Sequence, residues 1–313
     1  MNRRAWSAFV VLSILWGVPY LLIKLAVGEI GSADVAWCDV ALGAAVLVPL
    51  AAIRGEIGGL SERWRPIAAL AVLQLALPSL LIAISERWIR SSLAGTLAAT
   101  IPLLVVPLAP LFGVREPLDA RRAAGLLVGF AGVVVLLGFD APKNFDEWTG
   151  VGCMLLAALA YAASPLIIER HLQAGQQQDL GSAAASLVLA AMLLSPAAIW
   201  AMPSHWPSLT ALTALIGLGA ISTGLGLALY FFLIREAGAA RAAVVTYFKP
   251  AVAAVLGALV LHEPFPMSSM LGLLMILLGS WLATQRPSRG SKTASQSSQA
   301  HSTSEGAIHA HKS

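Results

Sequence analysis

The chain repeats apolar stretches of roughly 20 residues with little between them, and that length decides what it can fold into, because a helix needs about 20 residues to cross bilayer hydrocarbon. Ten such stretches lie at about residues 5–27, 33–53, 65–85, 91–113, 122–139, 148–168, 182–202, 208–234, 240–261 and 267–284. In hydrocarbon each backbone N–H and C=O must find a partner, and a helix supplies those partners within one segment. Composition agrees: 58% of the residues are hydrophobic and only 12% charged, where a soluble domain carries about 25%. The expectation is an all-α integral membrane protein of ten transmembrane helices.

The formal net charge of +4 invites a nucleic-acid partner, but the basic residues sit in short connections between apolar stretches, as topology signals do. Alternate connections hold fourteen Lys and Arg on the side of the N-terminus, among them Arg54, Arg63, Arg115 and Arg235, against three on the other side, Arg87, Arg90 and Lys143. That bias predicts both termini in the cytoplasm. The basic start, Arg3-Arg4, leads into an apolar run with no A-x-A-like cleavage site, which reads as a retained first helix. After residue 284 large apolar side chains almost vanish, so 285–313 reads as a disordered cytoplasmic tail. Cys38 and Cys153 both fall inside apolar stretches, as packing residues do.

The stretches also repeat in kind. Arg115-Glu116-Pro117-Leu118 returns as His262-Glu263-Pro264-Phe265, a shift of 147 residues. At the same shift Gly125 falls on Gly272 and Gly132 on Gly279, and one residue of slippage brings Pro102 onto Pro250. Each half then holds five helices, 1–140 and 141–284. Five is odd, so the second half enters the membrane upside down, giving two inverted five-helix repeats. Such repeats commonly place a solute site near the midplane, where the halves meet.

These residues, in this order and occurring twice, carry a resemblance. Trp16-Gly17 with Ile23-Lys24 opens the first half, followed by Pro102, Glu116-Pro117-Leu118, Gly125 and Gly132. Gly238 to Ala242, Tyr247 to Pro250, Glu263-Pro264, Gly272 and Gly279 answer in the second. Over residues 5–284 the chain resembles the EamA-type members of the drug/metabolite transporter superfamily. The resemblance implies ten helices, a central cavity and export or exchange of amino acids, metabolites or drugs. Members often carry an arginine early in the second helix, where this sequence has Asp39.

An ionisable group within hydrocarbon costs at least about 2.5 kcal/mol at the centre, so each asks for a reason. Lys249, in Tyr247-Phe248-Lys249-Pro250, lies about ten residues into the ninth stretch. Pro250 removes a backbone donor and disfavours helix at Lys249. A cation at a broken helix facing a cavity suits an anionic or carboxylate-bearing solute; pairing with a buried carboxylate or with carbonyls is the structural alternative. Lys24 and Asp39 fall near the same end of adjacent antiparallel helices, where an ion pair would reduce the cost of both and form part of a gate. The alternative has Lys24 reaching the interface and Asp39 meeting water. Asp39 is also the default candidate for proton coupling.

Trp16, Tyr20, Tyr161, Tyr230 and Tyr247 lie within stretches, and Pro19 and Pro165 follow Trp16 and Tyr161 closely enough to kink the first helix of each half. These aromatics read as cavity walls or, equally, as packing at helix crossings. Gln74, Ser79, Ser222 and Thr223 are polar lining groups or interhelical hydrogen-bond partners. Gly125, Gly132, Gly272 and Gly279 recur on one helix face, where small residues let the fifth and tenth helices, or two protomers, approach. Glu116 and Glu263 read as structural, each capping the helix that follows. Trp6, Trp64, Trp88, Trp148 and Trp206 fall near stretch ends, as an interfacial belt.

No phosphate-binding loop, H-E-x-x-H or G-x-S-x-G appears, and the histidines are scattered. The expectation is a secondary transporter, not an enzyme, with no cofactor or metal. Its partners are a small-molecule substrate and membrane lipid, not nucleic acid, and the chain is a monomer or homodimer. A non-transporting scaffold, a lipid-binding module or, less readily, an intramembrane enzyme are the alternatives.

Overall fold

The computed structural model describes residues 3–113, 119–139, 142–171, 179–201, 206–238, 242 and 244–284. All regular structure among these residues is helical. Among the described residues nine segments are long and apolar enough to cross a membrane: α1 (Arg3–Val27), α2 (Ser32–Ile53), α3 (Leu60–Trp88), α4 (Ser91–Phe112), α5 (Ala120–Leu137), α6 (Phe145–Ile167), α7 (Leu180–Ala201), α8 (Leu209–Ala237) and α10 (Met267–Thr284). Between the last two runs a shorter apolar helix, α9 (Val245–Val260). This is a multi-pass helical membrane protein. Glu116 and Pro117, and the tail from 285 onward, lie outside the described residues.

The starts of α1 and α9 and the ends of α8 and α10 share one face. Ala5, Ala8, Phe9 and Leu12 pack with Leu233 and Val245, and the Tyr247 hydroxyl lies 3.0 Å from the Thr284 hydroxyl. We call this the terminal face and its opposite the far face. Trp6, Trp64, Trp88, Trp148 and Trp206 are all exposed.

Helices pair where backbones can close in. The most extensive pairings are α5 with α10, α3 with α6 and α2 with α7. The first uses the four glycines: a methyl group on Gly125 would lie 2.6 Å from the Ala283 nitrogen, and one on Gly132 2.9 Å from the Gly272 oxygen. Gly272 and Gly279 likewise meet the backbone of α5. Without side chains between them, two helices gain the dispersion contacts that drive association in lipid.

Proline divides rather than ends several helices. The regular α-helix of α1 lapses at Val18 before Pro19, and that of α4 at Ala99–Thr100 before Pro102. α9 opens as a 3₁₀ turn, Val244–Tyr247, with regular helix beginning only at Lys249-Pro250. At Pro165, by contrast, α6 continues as regular helix.

Charged side chains fasten connections to helix ends. On the terminal face Glu56 accepts from Arg235 at 2.8 Å and from the Leu180 amide at 3.0 Å. Arg63 pairs with Asp179, and Asp179 also accepts from the Ser182 amide at 2.8 Å. On the far face Glu29 accepts from the amide and hydroxyl of Ser208, at the start of α8. Glu263 accepts from the amides of Ser91 and Ser92, each at 2.9 Å. It thereby caps α4 rather than α10, the helix that follows it. The reason is local: His262 adopts a left-handed conformation, φ 51°, and the Glu263 amide bonds back to Gly257. That reversal aims the carboxylate at α4, over Gly257, where a methyl group would lie 2.8 Å from it.

Gly125→Val is expected to lower stability by about 1–3 kcal/mol by overpacking the α5–α10 crossing. Gly152→Ala, on an open surface with nothing within 4 Å, should not lower it; thermal unfolding in detergent compares the two. Burial opposes ionisation of Asp179, but the Ser182 amide and the Arg63 guanidinium outweigh it and hold the carboxyl below its ordinary 3.8. Its stabilisation is therefore complete above pH 3.8 and lost as pH falls through the lower native value. Asp179→Asn should remove that acid-sensitive component from unfolding midpoints measured against pH.

Candidate functional site

Four irregular helices give the molecule its interior space. α3 widens into a π-helical segment at Ala71–Ala76 and α8 into another at Gly217–Leu225. Such segments shift side chains out of the ordinary helical register and frequently mark functional sites. They carry Gln74, Ser222 and Thr223 to the same space that the divided helices α4 and α9 reach with Pro102, Pro250 and Lys249. The result is a cavity of about 450 Å³.

Its walls bring together most of the residues singled out from sequence. Trp16, Tyr20, Asp39, Gln74, Tyr161, Tyr230, Tyr247 and Lys249 all line it, with Ser79, Ser222 and Thr223. Pro19 and Pro165 lie among them. The lining reaches Ala183 and Tyr247 in the opening turns of α7 and α9, at the terminal face. Toward the far face it stops at Ile23, Ile82 and Leu218, which belong to the buried core.

Two charged groups face this space from different elements. The Lys249 ammonium sits 4.0 Å from the centre of the Trp16 ring, a cation–π contact. Trp16 is held in turn by the Tyr230 ring at 4.9 Å and by Gly226, where a methyl group would lie 2.7 Å from the indole nitrogen. Because regular helix starts at Lys249, the positive end of the α9 dipole adds to the ammonium charge. Asp39 is buried and accepts from Ser79 at 3.0 Å and from Thr223 at 2.5 Å, tying α2 to α3 and α8. The cavity thus offers a cation over an aromatic face, a doubly hydrogen-bonded carboxylate, and apolar walls between.

The expected Lys24–Asp39 ion pair does not form. Lys24 donates to the carbonyls of Glu86 and Ile89 at 2.6 and 2.7 Å. Those are carbonyls at the C-terminal end of α3, which no further turn satisfies and which carry the negative end of the helix dipole. Lys24 is a C-terminal cap, and Asp39 has hydroxyl partners instead. Gly125, Gly132, Gly272, Gly279 and Glu263 lie away from the cavity.

Sequence reading missed Glu86. It placed the end of the third stretch at residue 85, which left Glu86 beside Arg87 in a connection, whereas α3 continues to Trp88. A signal existed: Ser79, Ile82 and Glu86 recur at three- and four-residue spacing, one helix face. No sequence feature announced the π segments.

Comparison with known proteins now places this architecture. The model of the EamA-like transporter family matches residues 4–138 and 148–285. An uncharacterized transporter of Archaeoglobus fulgidus is 21% identical over 90% of this chain and 99% of that protein. The uncharacterized transporter YoaV of Bacillus subtilis is 24% identical over 87% of this chain and 94% of its own length. The uncharacterized inner membrane transporter YedA of Escherichia coli is 24% identical over 80% and 81%. One solved crystal structure shares the fold with a TM-score of 0.63 at 20% identity, covering 91% of this chain and 97% of that one.

If Lys24 and Asp39 serve separate partners, reversing both charges cannot restore what either single reversal loses. The double variant Lys24→Asp/Asp39→Lys is expected to fold no better than Lys24→Asp alone, by expression and monodispersity in detergent. Lys24→Met should cost about 1.5–3 kcal/mol, the worth of hydrogen bonds from a charged donor.

Proposed function

The chain belongs to the EamA-like transporter family, and from that premise we propose that it is a secondary transporter that exports a small, carboxylate-bearing metabolite by alternating access. Transport as such is the coarse activity of the family and of the relatives named above. The substrate class, direction and mechanism are read from the cavity.

The observation that carries the reading is Lys249. A cation stacked on Trp16, at the positive start of a helix that breaks within the membrane, is costly unless something negative shares the space. Asp39 is already engaged by two hydroxyls. A solute anion lying against Lys249 would meet charge and donor together, while its apolar part contacts Trp16, Tyr230 and Tyr161. The free polar edge of Gln74 would add selectivity.

Alternating access is supported by the asymmetry of the lining, which extends to the terminal face and ends in packed core toward the other. With the arginine- and lysine-rich terminal face in the cytoplasm, this is the loading state of an exporter. Two inverted five-helix halves, 1–140 and 141–284, would give the opposite state by exchanging roles. Two of the three most extensive helix pairs, α2 with α7 and α5 with α10, join corresponding members of such halves.

The test is flux. Full-length protein is reconstituted into liposomes and offered radiolabelled amino acids and small organic anions, individually. For whichever compound moves, Lys249→Ala should reduce flux by at least about tenfold, equivalent to about 1.4 kcal/mol of lost interaction, with unchanged unfolding temperature. Lys249→Arg should retain part of it. Undiminished flux in a well-folded Lys249→Ala chain overturns the assignment.

A further inference from the structure

Glu86 differs from the other far-face carboxylates described above. Glu29 and Glu263 each accept from two or more donors. Glu86 is 0% exposed, and neither of its side-chain oxygens has a hydrogen-bond partner. Lys24, a cation acting on it, has its ammonium committed to the Glu86 and Ile89 carbonyls. A charge buried without donors is so costly that proteins rarely keep one.

The groups around it come from every neighbouring element. α1 presents Lys24 and Tyr20, and the α9–α10 connection presents Glu263, a second negative charge acting on it. α6 contributes Tyr161, which faces Tyr20. α4 brings only hydroxyls, of which Ser91 is spent on Glu263 and Thr96 on the Ser92 carbonyl. None of these groups donates a hydrogen bond to either Glu86 oxygen.

Its position is equally specific. Tyr20, which lines the central cavity, interacts electrostatically with Glu86. One turn further along the chain, Trp88, Ile89 and Arg90 line a second recess of about 420 Å³ at the far face. Glu86 therefore stands in the barrier between two cavities, inside the layer that closes the central one.

We propose that Glu86 is a proton-binding site whose occupancy controls the far-face closure. In the closed state an O–H bond on its carboxyl keeps the group neutral without donors. When that bond breaks, the proton passes to water in the far-face recess and the carboxylate gains a full charge. It then needs water or donors, which only separation of α3, α4 and the α9–α10 connection admits. Reprotonation from the same water reverses the step, and no other reactant takes part. The closure is a gate only under the transport reading, on which this part of the proposal rests; the proton site does not depend on it.

Infrared spectroscopy on the full chain in lipid bilayers tests the site. At neutral pH the wild-type chain should show the high-frequency carbonyl stretch of a protonated carboxyl without hydrogen bonds. Glu86→Gln should abolish it, while Asp34→Asn and Asp39→Asn retain it. Absence of the band from the wild-type chain overturns the proposal with no variant needed, as does its survival in Glu86→Gln.

A second measurement reads the closure. Leu93→Cys, lining the far-face recess, is placed in a Cys38→Ala/Cys153→Ala chain and labelled with a membrane-impermeant maleimide across pH. The same thiol in the Glu86→Gln chain supplies the reagent's own pH dependence. The ratio of the two rates should rise with pH, by up to about tenfold per unit for one exchanged proton. A flat ratio overturns control of the closure by Glu86. Neither measurement involves flux, so their failure leaves the Lys249 reading standing, and failure of that reading leaves these results intact.

Discussion

A helix that ends within or near hydrocarbon leaves carbonyls and amides without partners, and the way those ends are satisfied organises this molecule. Side chains from elsewhere in the sequence supply the missing bonds. Lys24 on α1 finishes α3, Glu263 after α9 starts α4, Glu56 after α2 starts α7, and Glu29 after α1 reaches the start of α8. Each is a charge-assisted bond, stronger than a neutral one. Each also matches the sign of the dipole it meets, an anion at an amide end or a cation at a carbonyl end. Such caps fix which connection lies against which helix, a choice that the uniform greasiness of lipid-facing surfaces leaves open.

The cavity depends on departures from regular helix that the caps make tolerable. A straight ten-helix bundle packed through glycine and alanine would close on itself, as α5 and α10 do. Instead α3 and α8 each take an extra residue into a turn, and α4 and α9 each interrupt before a proline. These four irregular segments surround the same space, and the groups they expose face the cavity rather than lipid. Polar side chains fill the gap in hydrogen bonding: Asp39 draws together Ser79 and Thr223 from the two π-bearing helices. Removing the carboxylate would leave two hydroxyls without their acceptor at the cavity wall.

What was legible in the sequence follows from what repeats along it. Apolar length gave the helices, because bilayer thickness imposes it, and seven-residue glycine spacing identified the α5–α10 faces. The proline after Lys249 marked a real interruption, since proline acts locally. The aromatic and polar residues named from sequence meet at one cavity for the same reason: a polar atom inside an apolar stretch must face something other than lipid. Partnership was not legible. Lys24 and Asp39 look paired when helices are drawn as adjacent rods, but the carbonyls at the end of α3 compete for Lys24, and backbone acceptors have no sequence signature. Glu263 points to α4 through a left-handed His262 that no propensity scale announces. Glu86 escaped because a hydropathy boundary falls where a charge appears, although the helix continues beneath it.

Both faces carry such caps, and those of the far face bear on the transport reading. On the terminal face the exposed Glu56–Arg235 pair stands beside amide bonds to Glu56 and Asp179. On the far face the Glu263 carboxylate takes amide and hydroxyl donors at a buried helix start, and Lys24 takes two carbonyls at a helix end. Opening the far face would break several charge-assisted bonds at once. On the transport reading proposed above, a solute would have to supply differential binding to offset that cost. A solute anion on Lys249, as proposed above, would act at the divided end of α9, whose other end leads through His262 to Glu263. One helix of twelve residues, Lys249–Val260, therefore joins the cavity to the cap at the start of α4.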